Sequence, residues 1–145
     1  MFGRLKELRE FEGVTQEEIA TYLKISRSTY AGYESGKDMI PLEKLNKLAN
    51  YFHTSLDYII GESPSRDKIL EVQSINKRNV SKTLKKIRKE KHLTQQELAK
   101  SLKTSQSNIH KYEKEKALIT TYYALEFSKQ YHYSLDKLVG RKKNN

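Results

Sequence analysis

The chain has no cysteine and no tryptophan, and only two prolines and six glycines in 145 residues. Without cysteine there is neither a disulfide framework nor a thiolate metal site, which fits a reducing, cytoplasmic setting. No apolar run approaches the roughly 18 residues of a membrane-spanning helix. The N-terminal stretch MFGRLKELREFEG is charged and lacks an apolar core, so it does not read as a signal peptide. Strand-like alternation is scarce, and the expected class is all-α. The four histidines, His53, His92, His110 and His132, never fall at metal-ligand spacing. His53 and His132 repeat at the same place before a Ser-Leu-Asp, which suits a structural role. No phosphate-cradling glycine loop and no nucleophile with its base occurs. The expectation is therefore no metal, no cofactor and no enzyme.

What the chain does have is positive charge in one half. Its formal net charge is +10. Residues 1–62 carry 8 Lys and Arg against 10 Asp and Glu, and residues 63–79 carry 4 against 2. Residues 80–145 carry 16 against 6 and so hold the whole excess. A basic half points to nucleic acid or an anionic surface, with a merely solvated lysine-rich face as the plain alternative.

The chain also repeats itself. Shifted by 79 residues, Leu5–Gly61 lies over Leu84–Gly140 without a gap, and 20 of 57 positions are identical. The identities include Thr15/Thr94, Gln16/Gln95, Ala20/Ala99, Ser26/Ser105, Tyr33/Tyr112, Glu34/Glu113 and the Ser-Leu-Asp at Ser55 and Ser134. Two copies at so long a period are a duplicated domain rather than a solenoid. The expected division is 1–62, a linker over 63–79, and 80–145.

Each copy reads as five helices. In copy one, the first spans about Arg4–Phe11 with Leu5 and Leu8 inward. Thr15 starts the second, with Glu18 placed for a capping box, and Thr94 and Glu97 repeat the pair. Ser26 caps the third, with Tyr30 and Tyr33 inward. The fourth runs about Pro41–Phe52, and a short fifth follows Ser55 and stops at Gly61. Two short helices joined by about three residues, with small Ala20 at the crossing, make a helix-turn-helix whose second helix can enter a major groove.

At this point the residues carry a resemblance. TQEEIATYLKISRSTYAGYESGK, followed by PLEKLNKLA and SLDYIIG, resembles the Cro/C1-type (XRE-like) helix-turn-helix of phage and bacterial repressors. It covers Leu5–Gly61 and, more loosely, Leu84–Gly140. The resemblance implies two tandem lambda-repressor-like domains binding double-stranded DNA as a transcriptional regulator, most simply a repressor. It implies base contacts from Arg27, Ser28, Thr29, Ala31 and Gly32, and in the second copy from Gln106, Ser107, Asn108, His110 and Lys111. Arg pairs well with guanine, and Gln or Asn with adenine. It also implies phosphate or base contacts from Gln16 and Gln95 and phosphate contacts from Lys37 and Lys116. A homodimer through the linker or helix five, and a protein or peptide anti-repressor, are partners such a regulator can take.

The copies depart from that pattern. Lys24 and Lys103 stand in the turn before helix three, where the family often has glycine. Glu115 replaces Gly36, and Thr120 replaces Pro41. A left-handed cap without glycine costs about 1 kcal/mol, so the end of helix three is expected to be built differently in copy two. Copy one has the better motif, and copy two has the charge. Either both bind DNA, with Lys82, Lys85, Lys86, Lys89, Lys100, Lys103, Lys111, Lys114, Lys116 and the tail Arg141–Lys143 as a phosphate pool, or one copy docks a protein as an adaptor. A DNA-binding antitoxin is a further reading in the same class.

In the linker, Ile69, Val72 and Ile75 recur every third residue. The spacing predicts a helix over about Arg66–Asn76 capped by Ser65; the alternative is a flexible tether. Fully extended, 18 residues reach roughly 60 Å, against roughly 34 Å between neighbouring major-groove half-sites.

Overall fold

The computed structural model describes residues 2–142. Among them are ten helices and no strand, in two separate compact units, residues 2–73 and 74–142. Unit one holds α1 (Gly3–Glu12), α2 (Gln16–Leu23), α3 (Arg27–Ser35), α4 (Leu42–Tyr51) and α5 (Leu56–Ile59). Unit two holds α6 (Lys77–Glu90), α7 (Gln95–Leu102), α8 (Gln106–Glu113), α9 (Thr121–Tyr131) and α10 (Leu135–Val139). Among the described residues no helix is long and apolar enough to cross a membrane.

The helices start where short polar side chains can satisfy free backbone N–H groups. Thr15 Oγ1 accepts from Glu18 N at 3.1 Å, Ser26 Oγ from Thr29 N at 3.1 Å, and Ser55 Oγ from Tyr58 N at 3.0 Å. Thr94, Ser105 and Ser134 repeat these caps in unit two. The reciprocal half of the capping box is made by Glu97, which accepts from Thr94 N at 2.9 Å. At Thr15 only the first half forms.

Each core is built from the inward stripes of all five helices. Leu5, Ile19, Leu23, Tyr30, Leu45, Leu48 and Leu56 are fully buried in unit one. At the matching positions of unit two, Ile109 stands for Tyr30, Ala124 for Leu45 and Phe127 for Leu48, all fully buried. Two of these exchanges lose volume and one gains it, and cores tolerate such compensating hydrophobic changes.

The turns repeat as faithfully as the helices. Left-handed backbone occurs at Gly13/His92, Lys24/Lys103, Gly36/Glu115, His53/His132 and Gly61/Gly140. Every pair is 79 residues apart. The expectation that helix three ends differently in the second copy holds in the hydrogen bonds but not in the backbone hand. α8 stops at Glu113 and Lys116 N donates to Lys111 O, where unit one has Asp38 N on Gly32 O, yet Glu115 (φ 60°) takes the left-handed conformation of Gly36 (φ 81°). The buried anchors Tyr112 and Ile119 on either side hold the turn, so the side chain bears the strain. His53 and His132 end α4 and α9 in the same way.

The linker is neither the expected helix nor a free tether. Residues 66–76 contain no helix, and α6 begins only at Lys77, capped by Asn76. The segment lies as a strap on unit one. Ile69 is buried, and its N–H donates to His53 O at 2.9 Å. Arg66 donates to Phe52 O at 2.6 Å. Asn50 clamps Gln73 from both sides, donating to its carbonyl at 2.8 Å and accepting from its N–H at 3.0 Å. Val72, one of the supposed helix face, is 83% exposed, and Leu70 beside Ile69 is 64% exposed. Backbone groups bonded to α4 and its cap are unavailable to an i→i+4 ladder. Asn76 N in turn donates to Val139 O within unit two at 2.8 Å. Only Ser74 and Ile75 lie between these two sets of bonds, far fewer than the 18 residues of a free tether.

Candidate nucleic-acid interface

In unit one, α2 and α3 are joined by Lys24-Ile25-Ser26, and Ala20 is buried where they cross. Lys24 turns the chain in left-handed backbone, and its N–H caps α2 at Thr21 O. Lys44 Nζ adds a cap on Leu23 O at 2.8 Å. This arrangement pushes the first turn of α3 outward. Arg27 and Ser28 are exposed there, while Thr29 and Ala31 are half-buried. Thr29 Oγ1 is tied back to Ser26 Oγ at 2.8 Å, so its hydroxyl serves the turn first.

The head of α2 stands beside this face. A groove of about 720 Å3 brings Gln16, Arg27 and Ala31 together over Arg9 and Glu34. Gln16 is held from beneath. Its Nε2 donates to Glu34 Oε1 at 3.2 Å, and Glu34 is gripped by Arg9 through Nε at 2.7 Å and a second nitrogen at 3.2 Å. Arg9 also donates to Val14 O at 3.2 Å, which fastens the loop before α2. Burial alone would raise the Glu34 carboxyl, but the bonds from Arg9 and Gln16 outweigh it and hold the group below its ordinary value. The same carboxylate keeps the Arg9 guanidinium above its own.

Unit two repeats the device. Arg88 grips Glu113 at 2.9 and 3.0 Å, donates to Leu93 O at 3.3 Å, and Gln95 Nε2 donates to Glu113 Oε1 at 3.2 Å. Glu113 is 2% exposed as a side chain. Each amide nitrogen carries two hydrogens; one is committed to the glutamate, which leaves the other for an acceptor outside. Arg9 and Arg88 did not figure among the expected site residues. The signal for them was their identity at the 79-residue offset, alongside Glu34/Glu113.

On α8, Gln106, Ser107, His110 and Lys111 are exposed, and Asn108 is half-buried with its amide donating to Thr104 Oγ1 at 2.8 Å. Lys37 and Lys116 are exposed just beyond α3 and α8. Gly32 is placed differently from its counterpart Lys111: it is buried, and the Asp38 side chain lies over it.

The phosphate pool needs one correction. Arg141 is a core residue, its guanidinium paired with Asp136 at 3.3 Å and both side chains at 0% exposure. Burial pulls its pKa down, against the pull of Asp136. Lys143 lies outside the described residues. Nor do all the lysines flank α8: Lys82, Lys86 and Lys137 line a separate hollow of about 380 Å3 between α6 and α10. Among the described residues no group of three or more His, Cys, Asp or Glu is placed to hold a metal ion.

The Helix-turn-helix family model HTH_3 matches residues 5–59 and again 84–138. The HTH-type transcriptional regulator YobD of Bacillus subtilis is 36% identical over 72 residues, half of this chain and 64% of the relative. AnsR, an HTH-type transcriptional regulator of the same organism, is 41% identical over 63 residues, covering 43% of this chain and 54% of AnsR. The cryptic phage CTXphi transcriptional repressor RstR of Vibrio cholerae is 25% identical over 80 residues, 51% of this chain and 72% of RstR. The chain thus spans about 54–64% of the two Bacillus relatives. No solved structure matches. With both helix-turn-helix units matched, each offering an exposed second helix beside an anchored glutamine, the chain belongs to the Cro/C1-type helix-turn-helix family of transcriptional regulators, a non-enzymatic family.

Proposed function

We propose that the chain is a sequence-specific, double-stranded DNA-binding transcriptional repressor whose α3 and α8 each enter a major groove. The observation that carries this reading is the duplicated site: in both units the recognition-helix N-terminus is exposed beside a glutamine locked by a buried Arg–Glu pair. Arg27 and Ser28, and Gln106, Ser107, Asn108, His110 and Lys111, contact base edges. Gln16 and Gln95, at helix N-termini where the dipole favours anions, contact phosphate, as do Lys37 and Lys116. In this reading residues 1–62 and 80–145 are both DNA-binding domains, and their different reading residues specify half-sites of different sequence. The repressor assignment is supported by the resemblance to RstR, named a transcriptional repressor.

Footprinting at saturation tests this. The expected protection covers roughly two helical turns per chain. A short perfect palindrome, protected equally well without residues 80–145, would overturn it. A second reading, in which unit two docks an acidic protein, is favoured by the lysine hollow between α6 and α10, lined by no residue of α8. That reading requires operator affinity independent of unit two.

A further inference from the structure

Position 32 lies one turn beyond Ser28 on α3, where a recognition helix offers its next reading side chain. Unit two has an exposed lysine there, Lys111. Unit one has glycine, and the space is not vacant. A Cβ built on Gly32 would overlap Asp38 Oδ2 and stand 3.2 Å from Asp38 Cγ. The carboxylate therefore sits against the helix backbone where a side chain at 32 would begin.

Backbone bonds hold it there. Asp38 N donates to Gly32 O at 3.1 Å. Ser35 Oγ donates to the same carbonyl at 3.2 Å and accepts from Lys37 N at 3.3 Å. The left-handed turn at Gly36 and the fully buried Ile40 fix the loop on either side. The carboxylate itself takes no hydrogen bond or ion pair from any described residue, and Asp38 is exposed. The carboxylate is thus an exposed acceptor held at a position set by the main chain, with Oδ2 against the helix backbone.

We propose that Asp38 is a specificity-determining residue of unit one: its carboxylate stands in for the side chain that Gly32 lacks and accepts a hydrogen bond from the exocyclic amino group of a cytosine in the major groove. This rests on α3 being the recognition helix. An ionised carboxylate only accepts. In the major groove cytosine N4 and adenine N6 are the donors, whereas guanine O6 and N7 and thymine O4 are acceptors that repel it. Cytosine is preferred because adenine sets its N7 acceptor beside the N6 donor. Unit two carries the opposite arrangement, a donor at Lys111 and Ala117 in the place of Asp38. A lysine favours guanine, so the two units discriminate in opposite senses at the equivalent base pair.

The test is selection of binding sites from random duplexes by the full chain and by Asp38→Ala, Asp38→Asn, Gly32→Ala and Arg27→Ala. The wild type is expected to fix a cytosine at one position. Asp38→Ala relaxes that position alone, with roughly tenfold discrimination falling to none. Asp38→Asn shifts it toward adenine, because an amide can both donate and accept. Gly32→Ala, which displaces the carboxylate but keeps the charge, relaxes the same position. Arg27→Ala alters a different one. A consensus unchanged in Asp38→Ala but altered in Arg27→Ala overturns this inference and leaves the recognition reading standing. A wild-type chain that enriches no sequence overturns the recognition reading and this inference together. Unfolding curves of Asp38→Ala superimposable on wild type show that the effect is not loss of fold.

Discussion

Replacing Glu113 by glutamine asks what the buried pair beneath the interface is worth. The Glu113 carboxylate receives two hydrogen bonds from Arg88 and one from Gln95, at 2% side-chain exposure. Removing one partner of a buried ion pair leaves an uncompensated charge and costs about 3–5 kcal/mol. Arg88 is 19% exposed and keeps its bond to Leu93 O, so the lower end, about 3 kcal/mol, applies. For a unit of this size 1 kcal/mol shifts the melting temperature by roughly 4–8 °C. Unit two is therefore expected to melt at least about 12 °C lower, and amide exchange should show the loss confined to residues 74–142. The double replacement Arg88→Met with Glu113→Leu removes both desolvated charges and is expected to recover most of the stability. It frees Gln95, however, so DNA affinity should stay reduced although the fold returns. A single variant within about 0.5 kcal/mol of wild type, or a double variant no better than the single, would refute the reasoning.

Three further outcomes are expected. Glu115→Gly relieves a left-handed side chain and should stabilise unit two by about 0.5–1 kcal/mol, whereas Gly36→Ala should destabilise unit one by about 1 kcal/mol; urea unfolding read by amide exchange in each unit checks both. The Glu34 carboxyl is held below its ordinary value of 4.5 in the folded chain. Its contribution is therefore complete above about pH 4.5 and is lost as pH falls through the lower folded value, and Glu34→Gln should flatten that acid limb of the stability profile. Lys116→Ala should weaken binding to all duplexes about equally and reduce the slope of log K against log[salt] by about one, while Arg27→Ala should cost roughly 1–3 kcal/mol on the preferred site alone; anisotropy titrations at several salt concentrations separate the two.

Much of the molecule was written in local pattern. Caps at Thr15, Ser26 and Ser55, apolar spacing and the 79-residue offset are each readable within a few turns of chain, because capping and amphipathicity act over three or four residues. They suffice for two five-helix units and for the exposure of Arg27, Ser28, Gln106 and Ser107. Tertiary structure decided the rest. Arg9 and Glu34 meet across 25 residues only because α1 packs on α3, and only then is Gln16 fixed. The 69–72–75 spacing suits a helix in isolation, but Asn50 and His53 claim the backbone of the segment, and packing overrides propensity. Glu115 accepts left-handed backbone because the buried residues around it close the turn whatever side chain it bears. The Asp38 carboxylate over Gly32 follows from the same cause: a glycine in a helix is an absence until the fold brings another residue to fill it.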